Sequence, residues 1–331
     1  MMTYRHNDMS RLIVLALVLA AGLLAGCARD VPEIKEEKAE ISVTTNLTPM
    51  RMRANTINSD TELQGYDIKI DAYYNGTDTK YIDGAKLHYN SSWMFWEDGE
   101  PGSQEHYYWP FEGSVVAGGS TIASILDFVG YCPYATPSYI TPREYDPTDG
   151  VTFTCDLSSY MTNSAQSSLQ EYLVAILDAQ TLATQTAAGG ALPLQFKHPL
   201  AYIKFSLSEA TTDNVTVNSI SMEELKTRGS CSFDGTTSSW SDQSVSATMN
   251  LTETLQRHET EETSPFLVIP NNYGEKTLSV NATWTEWGDV QTRTYEAPLT
   301  IDWVAGYAYT YTLTITKYEL IVDVDKFTEQ W

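Results

Sequence analysis

The sequence predicts an all-β protein built from two tandem β-sandwich domains, and three observations carry that prediction. Apolar and polar residues alternate with a period of two over many short runs. Gly, Pro, Asn and Asp clusters divide those runs, as expected for sheets folded onto sheets. Composition agrees: 21 Tyr and 8 Trp in 331 residues, with abundant Thr, suit a pleated, half-buried surface. At roughly 100–200 residues per domain the length accommodates two. With 42% hydrophobic and 19% charged residues, disorder throughout is excluded.

The N-terminus is read as a leader. Arg5 and Arg11 precede an unbroken apolar stretch, Leu12 to Gly26. At about 15 residues it is shorter than the ~20 that cross a hydrocarbon core, so residues 1–26 are expected to be a signal peptide. Met9 serves equally as the start, since Met9-Ser10-Arg11 and the apolar run already make a complete signal. The stretch ends in Leu24-Ala25-Gly26-Cys27, which resembles the bacterial lipobox and makes Cys27 the expected lipidated first residue. Residues 27–40 are polar, charged and without an apolar period, the pattern of a solvated tether.

The first strand-like segment is Ile41 to Leu47, and Arg51 and Arg53 follow it as the only basic residues between Lys38 and Lys69. Ile68, Ile70, Ala72 and Tyr74 then share one face of a half-buried strand, opposite Asp67, Lys69, Asp71 and Tyr73, with Asn75-Gly76 as the turn. Similar runs are expected at Leu87–Trp96, Glu171–Asp178, Leu200–Leu207, Val215–Met222, Phe266–Ile269, Leu278–Trp284 and Tyr309–Thr316. In the last, every second residue is Thr, and a strand places all four in water. Helices are minor, with Ser167–Tyr172 and Asp178–Ala188 as candidates. Small residues at Ala187-Ala188-Gly189-Gly190 mark a boundary, giving sandwiches over 41–190 and 191–331. Each half is long enough to bury roughly 70% of its unfolded surface without disulfides.

Past Cys27 three cysteines remain: Cys132, Cys155 and Cys231. Three thiols cannot all pair within one chain, and no CxxC spacing points to a metal. A Cys132–Cys155 bridge is one reading; three buried cysteines acting as small apolar side chains is the other.

Charge and motifs narrow the function. Asp and Glu outnumber Lys and Arg 43 to 20, a formal net charge of −23, so nucleic acid is not an expected partner. No catalytic, cofactor or metal site is assigned. His258-Glu259 lacks the second histidine of a zinc-protease helix, and His6, His88, His106 and His198 form no ligand spacing. Gly118-Gly119-Ser120 is not a nucleophile elbow. Carboxylates are plentiful, but nothing selects a glycosidase pair among them.

Four segments in order resemble the fimbrillin-like proteins of Bacteroidetes. Tyr108-Trp109-Pro110 stands with Leu126-Asp127-Phe128 and Tyr131–Pro133. Phe196-Lys197-His198-Pro199-Leu200-Ala201-Tyr202-Ile203-Lys204-Phe205 looks like that family's F-x-H-x-L-A-x-I-x-F strand. Phe266–Pro270 and Trp303-Val304-Ala305-Gly306-Tyr307-Ala308-Tyr309-Thr310-Tyr311 complete the set. The resemblance implies two transthyretin-like sandwiches, export as an outer-membrane lipoprotein on Cys27, and assembly into cell-surface fimbriae. It further implies that an Arg-specific protease cuts in the early mature region and frees the first strand. The groove so opened accepts a strand from the next subunit, a form of β-augmentation. Arg51 and Arg53 sit where such a cut falls, although an ordinary pair of loop arginines reads the same way. Tip and anchor members can remain uncut.

Near the C-terminus, Leu320, Val322 and Val324 share a face, either as a strand given to a neighbour or as the last strand of their own sheet. The alternative function is a surface carbohydrate-binding lipoprotein. Trp93, Phe95, Trp96, Tyr107, Tyr108, Trp109 and Phe111 crowd a stretch that also holds Glu97, Asp98, Glu100 and Glu105. Trp96, Tyr107, Tyr108 and Trp109 are the candidate contacts to a sugar or to a host or bacterial surface ligand, by ring stacking beside hydrogen bonds. The same residues also read as alternating core positions joined by a polar hairpin loop.

Overall fold

A computed structural model describes residues 39–46, 60–89, 94–97, 106–110, 125–212, 214–257 and 261–327, with the backbone alone at 60, 94–97, 143–144 and 325–327. The chain divides into residues 1–39 and 40–331, and every described strand belongs to the second unit. The leader, Cys27, Arg51, Arg53, Trp93, Phe111 and His258 lie outside the described residues.

In chain order the first half holds β1 (Val43–Asn46), β2 (Ile68–Tyr74), β3 (Lys80–Tyr89), β4 (Met94–Glu97), β5 (Leu126–Cys132), β6 (Ile140–Asp146), β7 (Gly150–Asp156) and β8 (Leu173–Gln180). The second half holds β9 (Leu192–Gln195), β10 (Ala201–Leu207), β11 (Thr216–Phe233), β12 (Ser238–Leu251), β13 (Leu255–Gln256), β14 (Phe266–Val268), β15 (Asn271–Glu286), β16 (Asp289–Trp303), β17 (Ala308–Ile315) and β18 (Leu320–Phe327). Described helices are single turns or little more: Asp60–Leu63, Ser158–Tyr160, Asn163–Gln166 and Leu182–Ala187.

Four sheets result. A five-stranded sheet runs β4-β3-β2-β5-β8, and a four-stranded one runs β14-β10-β17-β18. The largest runs β16-β15-β11-β7-β6, with β12 and β13 also paired to β11. The fourth is β1 with β9, parallel, Val43 opposite Leu192 and Thr45 opposite Leu194.

The long strand β11 feeds two cores, because its 18 residues reach about 60 Å at 3.3 Å per residue. Its far end, Cys231 and Phe233, packs with Tyr73 and Val129 of the five-stranded sheet and Val151, Phe153 and Cys155 of β7. Its near end, Val217, Ile220 and Met222, packs with Phe205 of β10, Val280 of β15, Ile301 of β16 and Leu313 of β17. A register shift after Met222, where Glu224 takes φ 58°, bends the strand between them. Since β7 pairs with β11, the largest sheet joins residues from both sides of Gly189-Gly190.

Several expected elements change on inspection. Leu87–Trp96 is not one strand: β3 ends at Tyr89 and β4 folds back on it, with Leu87 opposite Trp96. The expected Val215–Met222 and Leu278–Trp284 strands are the near or inner parts of much longer β11 and β15. Ser167–Tyr172 is not helical; the turn lies before it at Asn163–Gln166, while Asp178–Gln180 finish β8 and only Leu182–Ala187 is helix. Half of the polar face assigned to β2 is also buried, with Asp71 at 2% and Tyr73 at 1% exposure, while Asp67 and Lys69 stay half-buried. A second layer, β6 and β7, covers that face, and Tyr73 packs on Tyr145 at 4.8 Å between ring centres. Thr310 is buried too, while Thr312 and Thr314 on the same face of β17 are half-buried. The Asn75-Gly76 turn holds as expected: Gly76 takes φ 70°, and the buried Asp127 carboxylate accepts from Asn75 Nδ2 at 2.7 Å and Gly76 N–H at 3.1 Å.

Candidate functional site

Residues 40–46 form an extended segment seated in a groove. Ile41, Val43 and Thr45 are 0%, 5% and 6% exposed, while Thr44 and Asn46 face solvent. That alternation is the two-residue period read from the sequence, now with an inner face sunk among other elements. Burying a side chain such as Ile41 stabilises the seat by about 1.5–3 kcal/mol.

The segment's main chain is held on both sides. Towards β9, Leu192 N–H donates to Ser42 O at 2.8 Å and Phe196 N–H to Asn46 O at 3.0 Å. Towards the other side, Ile41 N–H donates to Tyr107 O at 2.7 Å, and Glu40 and Tyr108 form an antiparallel bridge. His106 Nδ1 meets Glu40 Oε1 at 2.8 Å.

A side chain completes the grip. Gln185 Oε1 accepts from Ser42 N–H at 3.0 Å, and Gln185 Nε2 donates to Glu40 O at 2.9 Å. The indole N–H of Trp109 also donates to Gln185 Oε1, at 3.1 Å. Gln185 is fixed by the helix that carries it. Thr181 accepts from Thr184 N–H at 3.2 Å and Thr184 Oγ1 accepts from Thr181 N–H at 2.8 Å, a reciprocal cap on that helix. Trp109 is fixed by Phe128, whose ring lies edge-on at 6.0 Å.

Of the four aromatic residues expected at a ligand surface, Trp109 is 6% exposed and its polar atom is committed to Gln185. Tyr107 and Tyr108 are half-buried; their carbonyl oxygens accept from Ile41 N–H and from Tyr81 OH. Trp96 is placed only as a backbone position of β4. His198 is buried and hydrogen-bonded to the equally buried Glu171, so it serves the interior. Sequence reasoning missed Gln185 altogether. Its surroundings, Leu182-Ala183-Thr184-Gln185-Thr186-Ala187, do not distinguish a groove-facing Gln from a solvent-facing one.

The arrangement suits recognition of an extended chain: main-chain hydrogen bonds along its length and pockets at alternate side chains. Among the described residues no group of three or more His, Cys, Asp or Glu side chains is placed to hold a metal, and no helix is long and apolar enough to cross a membrane.

Comparison with curated proteins gave no match. Among solved structures, a candidate cell adhesion protein from Bacteroides uniformis superposes with a TM-score of 0.51 at 16% identity, covering 88% of this chain and 98% of that one. This likeness shows the fold. The C-terminally truncated tip fimbrial protein Mfa3 of Porphyromonas gingivalis gives 0.43 at 9% identity, over 89% and 100% of the two chains. A family model described as fimbrillin-like matches residues 51–331, and the chain therefore belongs to the fimbrillin-like family.

Proposed function

We infer that the protein is a fimbrial subunit, structural or adhesive at the tip, that joins its neighbour by exchanging the strand at residues 40–46. On this reading residues 1–26 are removed, Cys27 carries a lipid that holds the tether 27–40 at the outer membrane, and two transthyretin-like sandwiches over 41–190 and 191–331 follow. Cleavage after Arg51 or Arg53 cuts the covalent link between the first strand and the body. The released strand then leaves an open groove for an extended segment of the next subunit.

The seating of residues 40–46 is the observation that supports this reading. Among described strands β1 pairs only with β9, and it lies upstream of both arginines in the chain. The chain also carries a second segment of the same pattern. Glu40-Ile41-x-Val43-x-Thr45-Asn46 matches Glu319-Leu320-x-Val322-x-Val324-Asp325 in spacing and character. In this structure the latter pairs with β17 of its own sheet, Leu320 opposite Ile315 and Val322 opposite Leu313.

Treatment of the mature protein with an Arg-specific protease tests the reading. Ladders on a gel and filaments by microscopy, both lost in an Arg51→Ala, Arg53→Ala variant, are the expected result. A product that stays uncut and monomeric under these conditions refutes release of residues 40–46 by cleavage at Arg51 or Arg53.

A further inference from the structure

We propose that the turn joining β15 and β16 is a carbohydrate contact, in which the indole of Trp287, with the phenol of Tyr318 beside it, stacks on a neutral, hydroxyl-rich sugar. The inference rests on the adhesive form of the reading above, and it places that contact away from the groove.

The fold does not account for Trp287. Glu286 opposite Asp289 is the last pair of the hairpin, so Trp287-Gly288 make a two-residue turn with φ 57° and 92°, the type I′ values. Asn-Gly is the favoured sequence there, because the left-handed backbone is costly for a bulky side chain. Burial returns nothing for that cost: Trp287 is 97% exposed, more than any other large apolar residue among those described. The strand β11 pairs with β15 only as far as Thr283, so the turn stands beyond the end of its neighbour.

A second ring is held on an adjoining turn. Tyr318 lies between β17 and β18 and is 71% exposed. Its carbonyl and that of Lys317 each accept from Arg293 Nη1 of β16 at 3.2 Å, and the Tyr295 hydroxyl donates to Thr316 O at 2.8 Å. Lys317 Nζ meets Glu286 Oε1 at 3.1 Å and lies 4.9 Å from the centre of the Tyr318 ring. The residues flanking the two rings are thus joined, and both rings project from turns fixed before any ligand arrives.

Size and charge select the occupant. Trp287, Tyr318 and the exposed Val290 together offer roughly 500 Å² of largely apolar surface, against the ~800 Å² per partner of a stable protein pair. A sugar ring or two is of the right extent: its C–H face covers an aromatic ring while its hydroxyls reach hydrogen-bonding groups at the rim. Those groups are at hand in Glu286, Asp289 and Glu319 with Lys317 and Arg293, so acids slightly outnumber bases. That balance, in a chain of net charge −23, favours a neutral ligand over an acidic glycan or an anionic lipid surface.

Affinity electrophoresis of uncut protein beginning at Ala28, in gels containing mannan, galactan or xylan, tests the proposal. Retardation by at least one of these neutral polymers is expected, weakened about tenfold or more in Trp287→Asn and to a smaller extent in Tyr318→Ala. Trp287→Asn also restores the favoured Asn-Gly turn, so its thermal midpoint is expected to rise by about 1–3 °C as binding is lost. A structural role for the indole would lower both. Retardation by none of the three polymers, retardation unchanged in Trp287→Asn, or a fall in that variant's midpoint overturns the proposal. Trp287-dependent binding to vesicles of phosphatidylcholine and phosphatidylserine, without retardation by the polymers, would assign the turn to a lipid surface instead. Trp287-dependent dimers in sedimentation, again without retardation, would assign it to a second copy of the chain. Failure here leaves assembly through residues 40–46 standing, since the chain is uncut and the protease ladder tests assembly separately.

Discussion

The indole N–H of Trp303 donates to the phenolic oxygen of Tyr311 across 2.7 Å, with both side chains withdrawn from solvent. Tyr273 packs edge-on against Trp303 at 5.4 Å and Phe205 stacks on Tyr311 at 5.3 Å, so the bond lies inside an aromatic cluster. Burial pushes the Tyr311 hydroxyl up to about 12, which keeps it neutral and available to Trp303 at physiological pH. Tyr311→Phe removes the acceptor and strands a buried donor. The expected loss is about 1–3 kcal/mol, read from the urea midpoint. In a Trp303→Phe background the same change should cost clearly less, and equal costs in the two backgrounds would show that the bond contributes nothing.

Gly150 opens β7 with φ 73°, and a Cβ built there would lie 2.1 Å from the carbonyl oxygen of Phe233 on β11. Two costs meet at this position, the left-handed backbone and the contact. Gly76 isolates the first, since it takes φ 70° with no atom within 4 Å of its would-be Cβ. Gly76→Ala is expected to cost about 1–2 kcal/mol from the backbone alone. Gly150→Ala must also push β7 and β11 apart, and its thermal midpoint should fall well below that of Gly76→Ala. Matching midpoints would mean that the two strands do not approach as closely as described.

These contacts mark how far the sequence reveals the fold. Alternation found β10 and β17 because each buries one face completely, and β2 because Ile68, Ile70 and Ala72 do so. It misassigned Asp71, Tyr73 and Thr310 because the period of two names two faces and does not say that the second is also covered. It cut β11 short at Met222, where the register shift beside Glu223 and Glu224 interrupts the alternation before Leu225. The first strand was legible from Ile41 and Val43, but Gln185 was not. Its role depends on Trp109 and Ser42, which lie 76 and 143 residues away in the chain.

The cysteines decide between two readings of the sequence. Cys132, Cys155 and Cys231 are all buried and unbridged, so no Cys132–Cys155 disulfide is present. Burial pushes the Cys231 thiol up to about 12 and raises those of Cys132 and Cys155 as well, which removes the reactive thiolate. In protein beginning at Ala28, a thiol reagent at neutral pH should modify none of the three until denaturant is added, and then all three. The unfolding midpoint should not move with reductant. Only one thiol titrating in the unfolded, unreduced protein would establish a bridge.

Asp234 gives the stability of the β11–β12 turn a predictable dependence on acid. Its carboxylate accepts from the backbone N–H groups of Thr237 at 2.7 Å and Thr236 at 2.8 Å, and from Thr237 Oγ1 at 2.9 Å. Those donors, Thr237 first, hold the carboxyl below the ordinary aspartate range. A carboxyl whose folded value is depressed adds stability that is fully present above its unfolded value, near 3.9, and is lost as pH falls through the folded value. Protonation therefore loosens this turn only in strong acid, and Asp234→Asn should weaken the protein at neutral pH while flattening its acid limb. Carboxyl carbon NMR should place the Asp234 midpoint below that of an unfolded aspartate. A midpoint at or above it would mean that the three donors do not favour the charged form, and the acid limb would then have to arise elsewhere.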